Sequence, residues 1–93
     1  MEDEIKLITL EELIIKKRED IICEMNKAAQ MVFNKGEAIF TIYIRKNLWD
    51  IEEIRQYIIQ KMEESNYHFI EIKTEEMDKN IYKHLRIAIC ETK

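Results

Sequence analysis

The stretch from Thr9 to Gly36 reads as one long amphipathic helix with both ends marked, and any fold of this chain has to accommodate it. Thr9 followed by Glu12 is a capping box: the threonine hydroxyl accepts from the Glu12 amide, and the Glu12 carboxylate accepts from the Thr9 amide. Ile8 and Leu13 stand where a hydrophobic staple places them. At the far end, Asn34-Lys35-Gly36 supplies a glycine that can turn left-handed and close the last turn. Between the caps, Leu10, Leu13, Ile14, Ile21, Met25, Ala28 and Val32 recur at spacings of three and four, and Ile22, Ala29 and Phe33 widen the stripe. The opposite side carries Lys16, Lys17, Glu19, Asp20, Glu24, Lys27 and Gln30, a solvated face.

The remaining chain is read in the same way. Residues 1–8 are a short charged lead and 9–35 the long helix. Residues 38–46 alternate and are rich in β-branched and aromatic types, which predicts a strand. Asn47 stands as the cap of a second helix over 48–65, with Leu48, Ile51, Ile54, Ile58 and Met62 as its buried stripe and Ser65-Asn66 as its end. Strands over 67–74 and 81–90 follow, joined by the polar loop Glu75 to Asn80, so they are antiparallel neighbours. The order helix, strand, helix, strand, strand predicts an α+β domain. Its expected form is a two-layer sandwich, two helices on one face of a three-stranded mixed sheet, with the first two strands and their helix forming a right-handed crossover.

Ninety-three residues hold one core and no second domain. The net charge of -4 is concentrated at the start, where Glu2, Asp3, Glu4, Glu11 and Glu12 outnumber Lys6. The rest is balanced, which disfavours a nucleic-acid footprint. No apolar run reaches the length of a membrane span, and the acidic first residues argue against a targeting peptide. The expected location is therefore the cytoplasm. Cys23 and Cys90 lack metal-ligand spacing and are expected to be reduced thiols.

Strand alternation assigns each side chain to a face. Phe40, Ile42, Ile44, Ile70, Ile72, Leu85, Ile87 and Ile89 are expected under the helices, with His68. The other face then collects Tyr43, Arg45, Tyr67, Phe69, Glu71, Lys73, Tyr82, His84, Arg86 and Cys90. Of these, Tyr43, Arg45, Tyr67, Phe69, Lys73, Tyr82, His84 and Arg86 form a candidate binding surface, joined by Trp49, the single tryptophan, which reads first as a partly buried anchor between the second helix and the end of the first strand and second as an exposed contact. Aromatics beside cations can stack bases and hold phosphates, or anchor a protein partner. The alternation parts His68 from His84, so they share no ligand sphere. No nucleophile pair, glycine-rich phosphate loop or zinc spacing occurs, and the reading is non-catalytic, without cofactor or metal. A helix of about 25 residues spans roughly 37 Å, whereas strands of about eight residues span roughly 26 Å. One end of the helix is expected to overhang the sheet and to pair, making a homo-oligomer.

Short length, a bias to Ile, Lys and Glu, the run Asn66-Tyr67-His68-Phe69-Ile70 that closes a helix into a strand, and the terminal strand Leu85 to Cys90 together give a recognisable texture. In these features the chain resembles the small single-domain accessory proteins that phages and prophages of AT-rich bacteria encode. That resemblance implies a virion accessory protein, a host-takeover inhibitor or a counter-defence protein. The last class includes binders that block an immune effector and oligomeric sponges that sequester its nucleotide signal. The partners implied are a host protein or a small nucleotide, with nucleic acid less favoured and no membrane. A structural or regulatory homo-oligomer, or a nucleic-acid-binding module using the open sheet face, is the alternative.

Overall fold

The computed structural model describes residues 6–89. Its elements, in chain order, are α1 (Leu10–Asn34), β1 (Ile39–Arg45), α2 (Lys46–Trp49), α3 (Glu52–Glu64), β2 (Tyr67–Met77) and β3 (Asn80–Ile89). The first five residues of the charged lead and Cys90 lie outside the described residues.

Both ends of α1 form as their residues dictate. The Glu12 N–H donates to Thr9 Oγ1 at 3.1 Å and the Thr9 N–H to Glu12 Oε1 at 3.0 Å. At the other end the Glu37 N–H reaches the Val32 carbonyl at 2.9 Å and the Gly36 N–H the Phe33 carbonyl at 3.0 Å. With Gly36 at φ 83, these are the two bonds of a Schellman closure. The backbone and hydroxyl hydrogen bonds from Thr9 hold the Glu12 carboxyl below its ordinary value of 4.5. A depressed folded-state pKa means the cap contributes above that value and is lost as pH falls through the lowered one. Amide exchange at Glu11 to Leu13 should therefore speed up in acid before that at Met25 and Ala29 does. Simultaneous loss of protection along the helix would refute this order.

The sheet is antiparallel throughout, with strand order β1-β3-β2, which corrects the expected mixed sheet. β1 and β2 run in the same direction but never touch; β3 lies between them and pairs with both. The polar stretch expected as a loop is instead strand almost to its tip. β2 continues to Met77 and β3 resumes at Asn80, leaving Asp78 and Lys79 as a two-residue turn with φ 50 and 68. Two positive φ values define a type I′ turn, whose second position favours glycine. Lys79→Gly should thus stabilise the fold by about 0.5–1 kcal/mol, read as a higher urea midpoint at unchanged slope.

The second helix is also corrected. It is broken into α2 and α3 at Asp50 and Ile51, and Asn47 lies inside α2 rather than capping it. Ile51 is extended (φ -75, ψ 117) and acts as the α3 N-cap without a side-chain bond. Packing accounts for the break. In a continuous helix Trp49 and Ile54 would point about 140° apart, yet both are buried, at 7% and 0% exposure. Re-aiming the chain at Ile51 lets Trp49 enter the core from α2 while Ile54, Ile58 and Met62 enter it from α3. The Arg55 guanidinium secures the corner by donating to the Trp49 carbonyl at 3.0 Å.

α1 lies against β1 and beside α3, and α3 lies against β2. One cluster gathers Ile21, Met25 and Ala29 of α1, Phe40, Ile42 and Ile44 of β1, Ile54, Ile58 and Met62 of α3, and Leu85 and Ile87 of β3. The other face of the sheet carries no described element.

Candidate recognition surface on the open sheet face

Register places the open-face side chains in cross-strand rows. Ile39, Ala88 and His68 form one row; Thr41, Arg86 and Glu71 the next; then Tyr43, His84 and Lys73; then Arg45, Tyr82 and Glu75. Six of the nine residues singled out in the sequence thus share this face: Tyr43, Arg45, Lys73, Tyr82, His84 and Arg86. Tyr67 and Phe69 do not, and their assignment is corrected; Trp49 is the buried anchor beside the end of β1 rather than an exposed contact. The Trp49 and Phe69 rings meet edge-to-face with centroids 6.1 Å apart, and Tyr67 meets Phe40 in the same way at 5.8 Å. Trp49 is buried in the core, and Tyr67 and Phe69 pack half-buried against it on the helix side.

The cause is a β-bulge. Phe69 pairs with Ile87 and Glu71 with Arg86, so Ile70 is an extra residue without a partner. An inserted residue shifts the alternation by one. Before the bulge Tyr67 and Phe69 face the helices, and after it Ile72 does. Ile70, expected under the helices, is 47% exposed. The same shift brings His68 to the open face with His84, against expectation. The two still stand four β3 positions apart, roughly 13 Å, and share no site. A trace of the bulge exists in the sequence: apolar residues fall at 67 and 69, then at 70 and 72, a slip of phase that strict alternation ignores.

Sequence reasoning also missed Glu75 because it was read as loop. Its carboxylate is central here, with Oε2 at 3.5 Å from both Lys73 Nζ and His84 Nδ1. His84 Nδ1 is buried and lacks a hydrogen-bond partner, and its ring stacks on Tyr43 with centroids 4.7 Å apart and planes 15° apart. Tyr82 meets Tyr43 edge-on at 6.4 Å, and Arg45 sits 5.8 Å from the Tyr82 ring centre.

This geometry restricts what the face can hold. Rings on adjacent strands, about 4.8 Å apart, stack at this distance only when their faces look along the sheet toward each other. The Tyr43 and His84 rings therefore turn their edges, not their faces, outward, so a base cannot lie flat on the centre of the sheet as on a stacking platform. The outer face of Tyr43 is the exception, because β1 is an edge strand. Beside it a recess of about 410 Å³ is lined by Lys17, Asp20, Glu24 and Lys27 of α1 together with Arg45 and Tyr82. Charge on the open face alternates: Arg45, Lys73 and Arg86 stand among Glu71 and Glu75.

Among the described residues no group of three or more His, Cys, Asp or Glu is placed to hold a metal, and no helix is long and apolar enough to cross a membrane. Cys23 is exposed on α1. Comparison with protein-family models, curated proteins and solved structures finds no match.

Proposed function

We propose that the chain is a non-catalytic binding protein, folded as a two-layer sandwich, whose open sheet face docks a protein partner. The observation that carries this reading is the ladder Arg45, Tyr82, Tyr43 and His84, with ring edges turned outward among charges of both signs. A flat surface with aromatics and Arg at its centre and mixed charge around them suits a protein interface. The texture shared with phage accessory proteins supports the specific form of a phage-encoded inhibitor of host defence. It acts in the host cytoplasm by stoichiometric binding of an immune effector, and it works as a homo-oligomer. The second reading is sequestration of a nucleotide signal, supported by the free face of Tyr43 over the recess that Lys17, Lys27 and Arg45 surround.

A photo-crosslinking residue at Tyr82 tests the proposal in host cells. It should capture one host protein in equal amounts, while the same probe at Glu63 on α3 captures none. Tyr82→Ala together with Arg45→Ala should weaken that complex about 100-fold. If instead no host protein is captured and a cyclic nucleotide raises the melting temperature, an effect abolished by Tyr43→Ala, the protein-partner reading fails in favour of the nucleotide.

A further inference from the structure

The apolar side chains at the start of α1 are largely uncovered. The molecule measures 57 Å along its longest axis against 34 and 23 Å along the others. At this tip Leu7 is 93% exposed, Leu10 70% and Ile8 52%, with Leu13 and Ile15 exposed beside them. Scattered apolar side chains are ordinary on a protein surface, but Leu10, Ile14 and Ile15 line one recess together. Next to the group, where α3 begins, a recess of about 410 Å³ is lined by Leu10, Ile14 and Ile15 with Glu11, Arg18 and Glu53 around it. Exposed leucines and an apolar recess thus lie on one surface.

Arg18 adds an independent sign. Its guanidinium packs 4.2 Å above the centre of the Tyr57 ring, and its Nε is buried without a hydrogen-bond partner. A buried donor without an acceptor is costly, and a carboxylate is its strongest acceptor. Glu12 is committed to the Thr9 cap. Glu11 is exposed on the first turn and takes no part in that cap.

We propose that two copies of the chain pair through these tips, antiparallel about a two-fold axis near Ile14. Each copy lays Leu10, Ile14 and Ile15 against the same face of the other and offers Glu11 to the other's Arg18. The order of charge along the helix supports this partner. Glu11 and Arg18 stand seven residues apart on one face of the helix, so an antiparallel copy sets each Glu11 opposite the other's Arg18. The two-fold repeats every contact and closes the pair, so no filament grows. Antiparallel packing also sets the two helix dipoles in opposition. The proposal deepens the self-association reading above and does not depend on the open sheet face.

Light scattering coupled to size exclusion at micromolar concentration tests it on the full chain. The native protein should be a dimer. Glu11→Arg makes a tip with arginine at both positions and Arg18→Glu a tip with glutamate at both, so each variant alone should be monomeric. Mixed in equal amounts, the two should form a heterodimer, and the double variant E11R/R18E should dimerise by itself. Leu10→Glu places an acid in the first helical turn, where the helix tolerates it, and should raise the dimer dissociation constant at least about 100-fold. Circular dichroism melts confirm that the variants remain folded. A monomeric native protein overturns the proposal, as do folded single variants that stay dimeric alone or fail to pair when mixed. Capture of a host protein at Tyr82 persisting through such a failure would leave the partner-binding reading standing by itself.

Discussion

Phe69→Glu is expected to abolish folding, while Ile70→Glu, one residue along the same strand, should change stability by less than about 1 kcal/mol. The contrast follows from the bulge. Phe69 packs edge-on against Trp49 and against the helix-covered core, so a carboxylate there is buried without a partner, at a cost of several kcal/mol. Ile70 is the unpaired residue of the bulge and is 47% exposed, so its replacement loses little burial. Unbroken alternation predicts the reverse, with Phe69 in water and Ile70 in the core. Circular dichroism and urea unfolding of the two variants distinguish these registers directly. A folded Phe69→Glu protein together with an unfolded Ile70→Glu one would show that the bulge is absent.

Leu85→Ala should cost about 3–4 kcal/mol, whereas Ile81→Ala on the same strand should cost under about 0.5 kcal/mol. Both residues share the helix-side alternation of β3, yet Leu85 is 0% and Ile81 48% exposed. Leu85 lies between Ile42 of β1 and Ile72 of β2. Ile81 pairs with Glu76 beyond the end of β1. A domain of this size has a total stability of roughly 5–14 kcal/mol, so losing Leu85 removes a large share of it and should lower the melting temperature by about 20 °C. Equal losses at both positions would mean that the hairpin tip is covered in solution by something beyond this chain.

These two contrasts mark where the sequence is legible. The α1 caps were readable because each is made by residues within a few positions of one another: Thr9 with Glu12, Val32 and Phe33 with Gly36 and Glu37. The same holds for the helix that closes at Asn66, whose φ of 61 is the left-handed value its residue type announces. Six of the nine candidate residues were found because β1 and β3 keep strict alternation from end to end. Tyr67 and Phe69 were misplaced because one unpaired residue shifts the face of every side chain on one side of it. Trp49 was legible as an anchor between helix and strand, but the break at Ile51 that seats it carries no proline or glycine to announce it. Glu75 was passed over because Glu75-Glu76-Met77 has little strand propensity of its own and becomes strand only by pairing with β3.

By itself, the sequence determined the length and ends of α1, the order of elements, the apolar stripe of α3 and the strand alternation of β1 and β3. Each follows from interactions within a few residues, or from a period that a single element must keep. Only the tertiary structure decided that β3 lies between β1 and β2, that the sheet is antiparallel, and that Ile70 is bulged. The same packing broke the second helix and set His84 between Tyr43 and Glu75. Those outcomes depend on residues brought together from distant parts of the chain. There the burial of Trp49, Phe69 and Leu85 outweighs local preference, and no window of neighbouring residues contains that balance.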